Sequence, residues 1–186
     1  SILCPVDFSA HAAGALRRAA DLAHRSGGRL AVLFVNDPLL AAAAAAVYHR
    51  RAEMLQRTQA ELERFVTRAL TGGSLPQDAV VCRVAIGDPA DEILRVASSH
   101  ACDLIVMGTQ GLDGADKWFM GSTVEHVLRR ATVPVLALPK GRGRTAAPFG
   151  RVVAPVDLGR GWTRDVSAAA SLARWLETEL TLVHVI

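Results

Sequence analysis

The sequence predicts an α/β fold, namely a doubly wound five-stranded parallel sheet with helices on both faces, followed by a partial second copy of the same pattern. Three observations lead to this prediction. Short apolar runs rich in β-branched residues alternate with amphipathic segments along the chain, which is typical of a parallel sheet covered by helices. A glycine-punctuated loop follows the fourth apolar run, and the opening segment recurs 150 positions later. The second and third observations bear on function as well as on fold.

The amino-terminal half supplies two strands and two helices. A strand at 2–6 opens the chain, and a helix at 10–26 follows, which Gly27-Gly28 ends in the manner of a C′ glycine. The next apolar run predicts a strand at 29–35. A long helix is predicted at 39–70, because its second half places apolar side chains on one side and arginines and glutamates elsewhere.

The following segments continue the same alternation. Asp88-Pro89 predicts the start of a helix, with aspartate as the N-cap residue and proline in the first helical position. Asp103 to Met107 has the length and composition of a buried strand. The elements predicted for this half are strands at 79–85, 103–107 and 133–138 and helices at 89–100 and 122–131.

The loop from Met107 to Thr123 joins the carboxyl end of a predicted strand to the amino end of a predicted helix. Open α/β sheets hold their ligands at this edge. Glycines let backbone N–H groups approach an anion, and the first turn of a helix has unpaired donors facing it. The loop therefore predicts a phosphate-binding cradle in which the Gly121 N–H and the hydroxyls of Ser122 and Thr123 close the far end.

The glycine spacing resembles a known signature. Gly108, two residues, Gly111, nine residues and then Gly121-Ser122 is similar to the ATP-binding signature of the universal stress protein family. The first strand with its turn and the strand at 133–138 resemble the same family, so that the likeness covers residues 1–140. It implies an adenine nucleotide α-hydrolase-like fold and an ATP site, with Asp7 at the nucleotide and the backbone near Val6 and Val35 beside the adenine. The expected binding residues are Pro5, Val6, Asp7, Val35, Met107, Gly108, Gly111, Gly121, Ser122 and Thr123.

Each of these features also has a purely structural interpretation. Asp7 suits a turn or a helix N-cap, and Gly108 and Gly111 suit ordinary turns. Lys117 either neutralises phosphate or lies on the surface. The other loop residues of note are Asp113 and Asp116, which weaken ATP binding unless Mg²⁺ bridges carboxylate and phosphate, and Trp118 and Phe119, which we expect to anchor the loop.

The internal repeat divides the chain. Pro5-Val6-Asp7 recurs as Pro155-Val156-Asp157, and the correspondence continues without a gap through the following helix and strand. We expect a universal stress protein domain at 1–140, a flexible linker at 141–150 and the truncated start of a second repeat at 151–186.

Composition argues against several classes of protein. Hydrophobic residues make up 51% of the chain, but no apolar run approaches the roughly 20 residues of a membrane span. The net charge of +3 is scattered over helix faces without a recognition motif, so we expect neither nucleic-acid nor membrane binding. Cys4, Cys82 and Cys102 lack metal-ligand spacing and are expected to be buried, reduced thiols. This pattern and the absence of a signal sequence predict a cytoplasmic protein.

Taken together, the residues and the resemblance predict an ATP-binding protein of the stress response that acts through nucleotide-dependent conformation and association. We expect a homodimer or an intramolecular pairing with the second repeat. One alternative is an interaction scaffold without nucleotide, in which Val133 to Leu138 forms an exposed edge. Another is a slow ATPase, but His126 is expected to be a surface histidine and no catalytic residue is assigned. Walker and dinucleotide-binding glycine motifs do not occur in the sequence.

Overall fold

The structure is a computed structural model that describes residues 1–38, 51–109, 121–139, 149–157, 159 and 161–184. The chain forms two compact units, Ser1–Ala146 and Ala147–Ile186. Each is described by itself below.

The first unit is a five-stranded parallel sheet in the order β3-β2-β1-β4-β5, with helices between the strands. This confirms the predicted fold, and the bounds of most elements agree with the sequence to within one or two residues. The strands are β1 Ile2–Val6, β2 Leu30–Asn36, β3 Val80–Ile86, β4 Leu104–Gly108 and β5 Val135–Leu138. The helices are α1 Ala10–Arg25, α2 Arg51–Leu70, α3 Pro89–Ser99 and α4 Ser122–Arg130, and a 3₁₀ turn spans Gln77–Ala79.

Two differences concern the ends of elements. The helix predicted at 39–70 is described from Arg51 onward, and residues 39–50 lie outside the described part of the chain. The last strand begins at Val135 and not at position 133. Pro134, which has no N–H to donate, precedes the strand and accepts a hydrogen bond from the Ile105 N–H at 3.0 Å.

The core of the first unit lies on both faces of the sheet. On one face, a cluster of buried side chains joins the strands to α3 and α4; it contains Leu3, Leu33, Ile105, Ile93, Val96 and Val127. On the other face, α1 packs against β1, β4 and α2, and Leu16, Leu22 and Leu62 are fully buried. Alternate residues of each strand thus serve opposite layers, as the period of two in a strand requires.

Local capping fixes the ends of the helices. The Ser9 hydroxyl accepts the Ala12 N–H at 3.0 Å at the start of α1, and the Asp88 carboxylate accepts the Asp91 N–H at 3.0 Å at the start of α3. Schellman turns end α1 and α3, with Gly27 (φ 59°) and Ala101 (φ 44°) in the left-handed position. The sequence predicted the roles of Gly27 and Asp88.

The second unit is a single βαβ element. Its parts are β6 Arg151–Pro155, α5 Trp162–Trp175 and β7 Glu179–Val183, and the two strands are parallel. Val152 pairs with Leu180, as Ile2 pairs with Leu30 in the first unit, so the strand register is the same at an offset of 150. The prediction that this unit begins a second, truncated domain stays a prediction.

The helices described by the structure are too short or too polar to cross a membrane.

Candidate functional site

The candidate site lies where the order of the strands reverses. β1 is hydrogen-bonded to β2 on one side and to β4 on the other. The connection after β1 therefore leads to one side of the sheet, and the connection after β4 leads to the other. β1 pairs with β2 at five positions from Ile2 to Val6, but the ladder to β4 covers only Ile2 and Leu3. The carboxyl ends of β1 and β4 are therefore free of mutual ladder bonds. This end of the sheet is where a doubly wound fold forms its ligand crevice.

The turn after β1 is tightly held. The Asp7 carboxylate accepts the Ser9 N–H at 3.0 Å, while Ser9 itself caps α1. Asp7 is therefore a turn residue, and the alternative that it is the N-cap of α1 is wrong because Ser9 occupies that position. Phe8, between them, has φ 63°, a left-handed conformation that is costly for a residue with a side chain. Its ring centroid lies 4.4 Å from that of Phe34 and 5.4 Å from that of Phe65, and these contacts hold the turn in place.

The other wall of the crevice consists of the end of β4 and the start of α4. The Thr109 N–H donates to the Leu138 carbonyl at 3.0 Å, which continues the β4–β5 pairing past Gly108. The Thr109 carbonyl in turn accepts the Gly121 N–H at 2.9 Å. The second of these bonds joins the two ends of the glycine loop. It also corrects one expectation, because the Gly121 N–H predicted to face phosphate is engaged with the protein.

The N-cap residue of α4 has no side chain with which to cap the helix. This residue is Gly121, with φ −60° and ψ 147°, and no side chain among the described residues accepts a hydrogen bond there. The Glu125 N–H donates to the Gly121 carbonyl at 3.1 Å, so the N–H groups of Ser122, Thr123 and Val124 precede the first intrahelical bond. Ser122 is exposed and Thr123 is half-buried. Unpaired donors and the positive end of a helix dipole are features that favour an anion.

The backbone does not itself require glycine at position 121. The conformation is an ordinary extended one, and among the described residues the nearest atom that an added Cβ would meet is the Thr109 carbonyl oxygen, at 3.7 Å. Serine, threonine, aspartate and asparagine are the residues that usually cap a helix. A glycine here supplies no side-chain acceptor of its own to the donors of the first turn.

The remaining predicted site residues are distributed around the same edge. Val6 and Met107 are buried, and Met107 belongs to the core cluster, with Val35 packed against it. The side chains of Val35 and Met107 therefore serve the core, and only their backbone is suited to a ligand. Pro5 and Asp7 are half-buried.

Part of the predicted site lies outside the described residues, namely Gly111, Asp113, Asp116, Lys117, Trp118 and Phe119. His126 is exposed, as expected of a surface histidine. The described residues contain no cluster of three or more His, Cys, Asp or Glu side chains able to hold a metal ion.

Sequence reasoning missed Asn36 at the end of β2. Its side-chain Nδ2 is buried and has no hydrogen-bond partner among the described residues, which is unusual for a buried amide. A polar residue that directly follows an apolar strand run, at the ligand-bearing edge of the sheet, was the available signal.

The cysteines are free thiols. Cys4 and Cys102 are buried as expected, and burial raises the pKa of the Cys4 thiol far above its ordinary value. Cys82 on the edge strand β3 is only half-buried, which corrects the expectation of full burial. Burial first, and the nearby Glu63 carboxylate second, raise the pKa of the Cys82 thiol from 9.0 to about 11.

Comparison with known proteins identifies relatives of the first unit. The model of the universal stress protein family matches residues 1–139. A protein of Thermus aquaticus, named universal stress protein in QAH/OAS sulfhydrylase 3'region, is 35% identical over 141 residues, which is 73% of this chain and 96% of that protein.

Solved structures give the same picture. A universal stress protein crystallised in complex with cAMP is 25% identical, with a TM-score of 0.53, and the match covers 74% of this chain and 94% of that one. A universal stress protein from Archaeoglobus fulgidus has a TM-score of 0.69 and 23% identity, and the match covers 100% of this chain and 66% of that one. The latter similarity shows the fold alone.

Proposed function

The chain belongs to the universal stress protein family, and we propose that it binds ATP at the carboxyl edge of β1 and β4. The observation that carries this proposal is the uncapped start of α4. Among the described residues, Gly121 leaves the first-turn N–H groups of this helix without a side-chain cap, next to Gly108 and Thr109 at the switch point of the sheet. A triphosphate supplies the acceptors and the negative charge that this arrangement favours.

The other end of the crevice suits a purine. Val6 and Val35 lie at the carboxyl ends of neighbouring strands, with apolar side chains directed into the protein. Their backbone groups at the strand ends are therefore what we propose to meet the purine edge, which is usually held by a few such donors and acceptors. The relative that was crystallised with cAMP supports an adenine nucleotide as the class of ligand. We propose ATP with Mg²⁺, since two loop aspartates would otherwise repel the phosphates.

We propose further that the bound nucleotide acts in the stress response through conformation and association, without efficient turnover, in the cytoplasm. β5 is an edge strand of the described sheet, with one neighbour, β4. Such an edge is able to pair with another strand. The proposed partner is a second copy of the chain or the second repeat.

The proposed domain organisation is a universal stress protein domain at 1–140, a linker at 141–150 and the start of a second repeat at 151–186. Two further details support the repeat. The Asp157 carboxylate accepts the Gly159 N–H at 2.9 Å, as that of Asp7 accepts the Ser9 N–H. Helix α5 also ends at Trp175, 150 positions after Arg25, in a turn with the same hydrogen bonds.

The first experiment is mass spectrometry of nucleotide released on denaturing the purified protein, followed by calorimetric titration of the stripped protein with ATP and Mg²⁺. We expect ATP or ADP in the released fraction and saturable binding on titration. A blank in both measurements would overturn the proposal and favour the scaffold function, in which the edge strand β5 acts without nucleotide. Incubation of excess protein with Mg²⁺ and ATP separately tests the slow ATPase, and we expect no stoichiometric ADP formation.

A further inference from the structure

We propose that the side-chain amide of Asn36 selects the base of the bound nucleotide, by donating a hydrogen bond from Nδ2 to a ring nitrogen of adenine. This inference rests on the proposed nucleotide site and adds to it a residue that determines specificity. It starts from a buried amide group that the described protein leaves unsatisfied.

The position of Asn36 is well defined. It is the last residue of β2 and pairs with Ile86 of β3, and its carbonyl accepts the Gly87 N–H at 3.1 Å. The backbone at this position is therefore held by the sheet. Nδ2 is nevertheless buried without an acceptor among the residues that the structure describes. A buried donor without a partner costs about 1–3 kcal/mol, so a protein that keeps one normally uses it for a ligand, an ion or water.

The surroundings suit an aromatic ligand. Asn36 and Phe34 are two residues apart on β2 and so share a face of the sheet. Phe34 is half-buried and stacks on Phe8, which belongs to the turn that follows Asp7. The edge of the sheet thus offers an unsatisfied amide donor and partly exposed aromatic rings close to the predicted nucleotide residues. A flat heterocycle with ring acceptors matches both features.

An amide held in one orientation distinguishes adenine from guanine by its hydrogen-bonding pattern, whereas rotation by 180° about the Cβ–Cγ bond would exchange its donor and its acceptor. The proposal therefore requires that the protein hold Nδ2, and not Oδ1, toward the ring nitrogen. Its NH₂ group donates to a ring nitrogen of adenine while its oxygen accepts from the exocyclic N6 amine, and this two-bond pairing is the usual one between asparagine and adenine. That pairing uses N7 and N6 of adenine, and N1 and N6 on the Watson–Crick edge present the same acceptor and donor. The Watson–Crick edge of guanine reverses the pattern, because N1 carries a proton and O6 accepts. A carboxylate in place of the amide accepts from that proton and has nothing to donate to adenine.

The test uses two variants of Asn36 in the full chain. Asn36→Leu keeps the branched shape and the number of heavy atoms of the side chain and removes the unsatisfied donor. We expect its nucleotide-free form to be at least as heat-stable as the wild type, while the dissociation constant for ATP rises about tenfold. Asn36→Asp keeps the shape and reverses the hydrogen-bonding pattern. We expect it to shift the ratio of ATP to GTP affinity by tenfold or more toward GTP. The new charge repels the triphosphates of ATP and GTP equally, so this repulsion cancels in the ratio.

Gln59→Leu is the matched control. The Gln59 Nε2 donates to Glu63 at 2.8 Å and to the Cys82 carbonyl at 3.3 Å, so its removal deletes a satisfied amide. We expect this variant to lose heat stability and to bind ATP as the wild type does.

The outcomes separate this inference from the proposed function. If the wild type binds no nucleotide, both fail. If the wild type binds ATP while Asn36→Leu binds equally well and Asn36→Asp leaves the ATP to GTP ratio unchanged, the base is read elsewhere and only this inference fails. If Asn36→Leu does not fold, the ratio measured with Asn36→Asp decides.

Discussion

Replacing Gly121 with aspartate separates the binding role of this position from any structural role. The residue has extended dihedral angles that aspartate adopts without strain, and an added Cβ meets only the Thr109 carbonyl oxygen, at an ordinary contact distance of 3.7 Å, among the described residues. Aspartate is among the best N-cap residues, whereas glycine is a poorer one. Gly121→Asp should therefore leave the fold intact and cap α4 better than the natural residue does.

The same change should weaken ATP binding strongly. The new carboxylate accepts from first-turn N–H groups and so competes with phosphate for its donors. It also repels the phosphates, because two unit charges about 7 Å apart interact by about 2 kcal/mol at an effective dielectric constant of about 20, and by about 4 kcal/mol at about 4 Å. With about 1.4 kcal/mol for each factor of ten, the dissociation constant should rise roughly 30-fold to 1,000-fold. Capping and helix-dipole effects should add a few tenths to about 1 kcal/mol of stability.

Calorimetric titration with ATP and thermal unfolding of the nucleotide-free protein measure the two effects. Gly150→Asp is the matched control, because Gly150 is exposed, has nothing within 4 Å of an added Cβ and belongs to the second unit. We expect this control to bind ATP normally. If Gly121→Asp binds ATP with unchanged affinity, the start of α4 does not hold phosphate. If the variant binds weakly only because it is unfolded, its melting curve will show this, and the claim that glycine is dispensable for folding is refuted.

The remaining predictions concern helix ends and thiols. Ala101→Gly should raise stability by about 0.5–1 kcal/mol, or roughly 1–4 °C in Tm, because Ala101 has φ 44° in a helix-ending turn. Gly27→Ala, at φ 59° with open space around its Cβ, should lower stability by a similar amount. A melting series that shows both changes neutral contradicts this reasoning. With a pKa near 11, Cys82 holds about 100-fold less thiolate at pH 8 than a thiol of pKa 9.0. Labelling of Cys82 by iodoacetamide in the folded protein should therefore be at least about tenfold slower than in the unfolded chain. The labelling rate should increase with pH up to about 11. Labelling at the unfolded rate means that the thiol is not held in a buried site.

Periodicity and cap residues were enough to predict the fold. The glycine after α1 and the Asp88-Pro89 pair before α3 each have one physical interpretation, and the structure uses both as expected. Ala101 and Glu177 adopt the same left-handed conformation without the glycine that would have indicated it. At those two helix ends, the hydrogen bonds and tertiary packing override the local preference, and a single sequence does not show this.

The candidate site was less accessible from sequence. Spacing indicated which glycines surround the crevice, but not how their backbone groups are used. The Gly121 N–H donates to Thr109, a contact between residues 12 positions apart that depends on how the ends of the loop meet. The unsatisfied amide of Asn36 was also invisible, because it is defined by the absence of acceptors around it in three dimensions. A residue type at the edge of a strand indicates a possible site, and only the structure tells whether its hydrogen bonds are satisfied.

The correspondence between the two units bears on the number of nucleotides that the chain binds. The second unit repeats the strand register and the aspartate turn of the first, and these features serve the base side of the proposed site. The phosphate side requires the end of β4 and the start of α4, which come from residues with no counterpart between 151 and 186. A single βαβ element has no helix equivalent to α4. A triphosphate bound there would therefore lack its main hydrogen-bond donors. We therefore expect calorimetry on residues 1–186 to show ATP binding at the first unit only, and Gly121→Asp to weaken it strongly; a second ATP bound by residues 151–186 would mean that the phosphates are held by the β1 turn and not by α4.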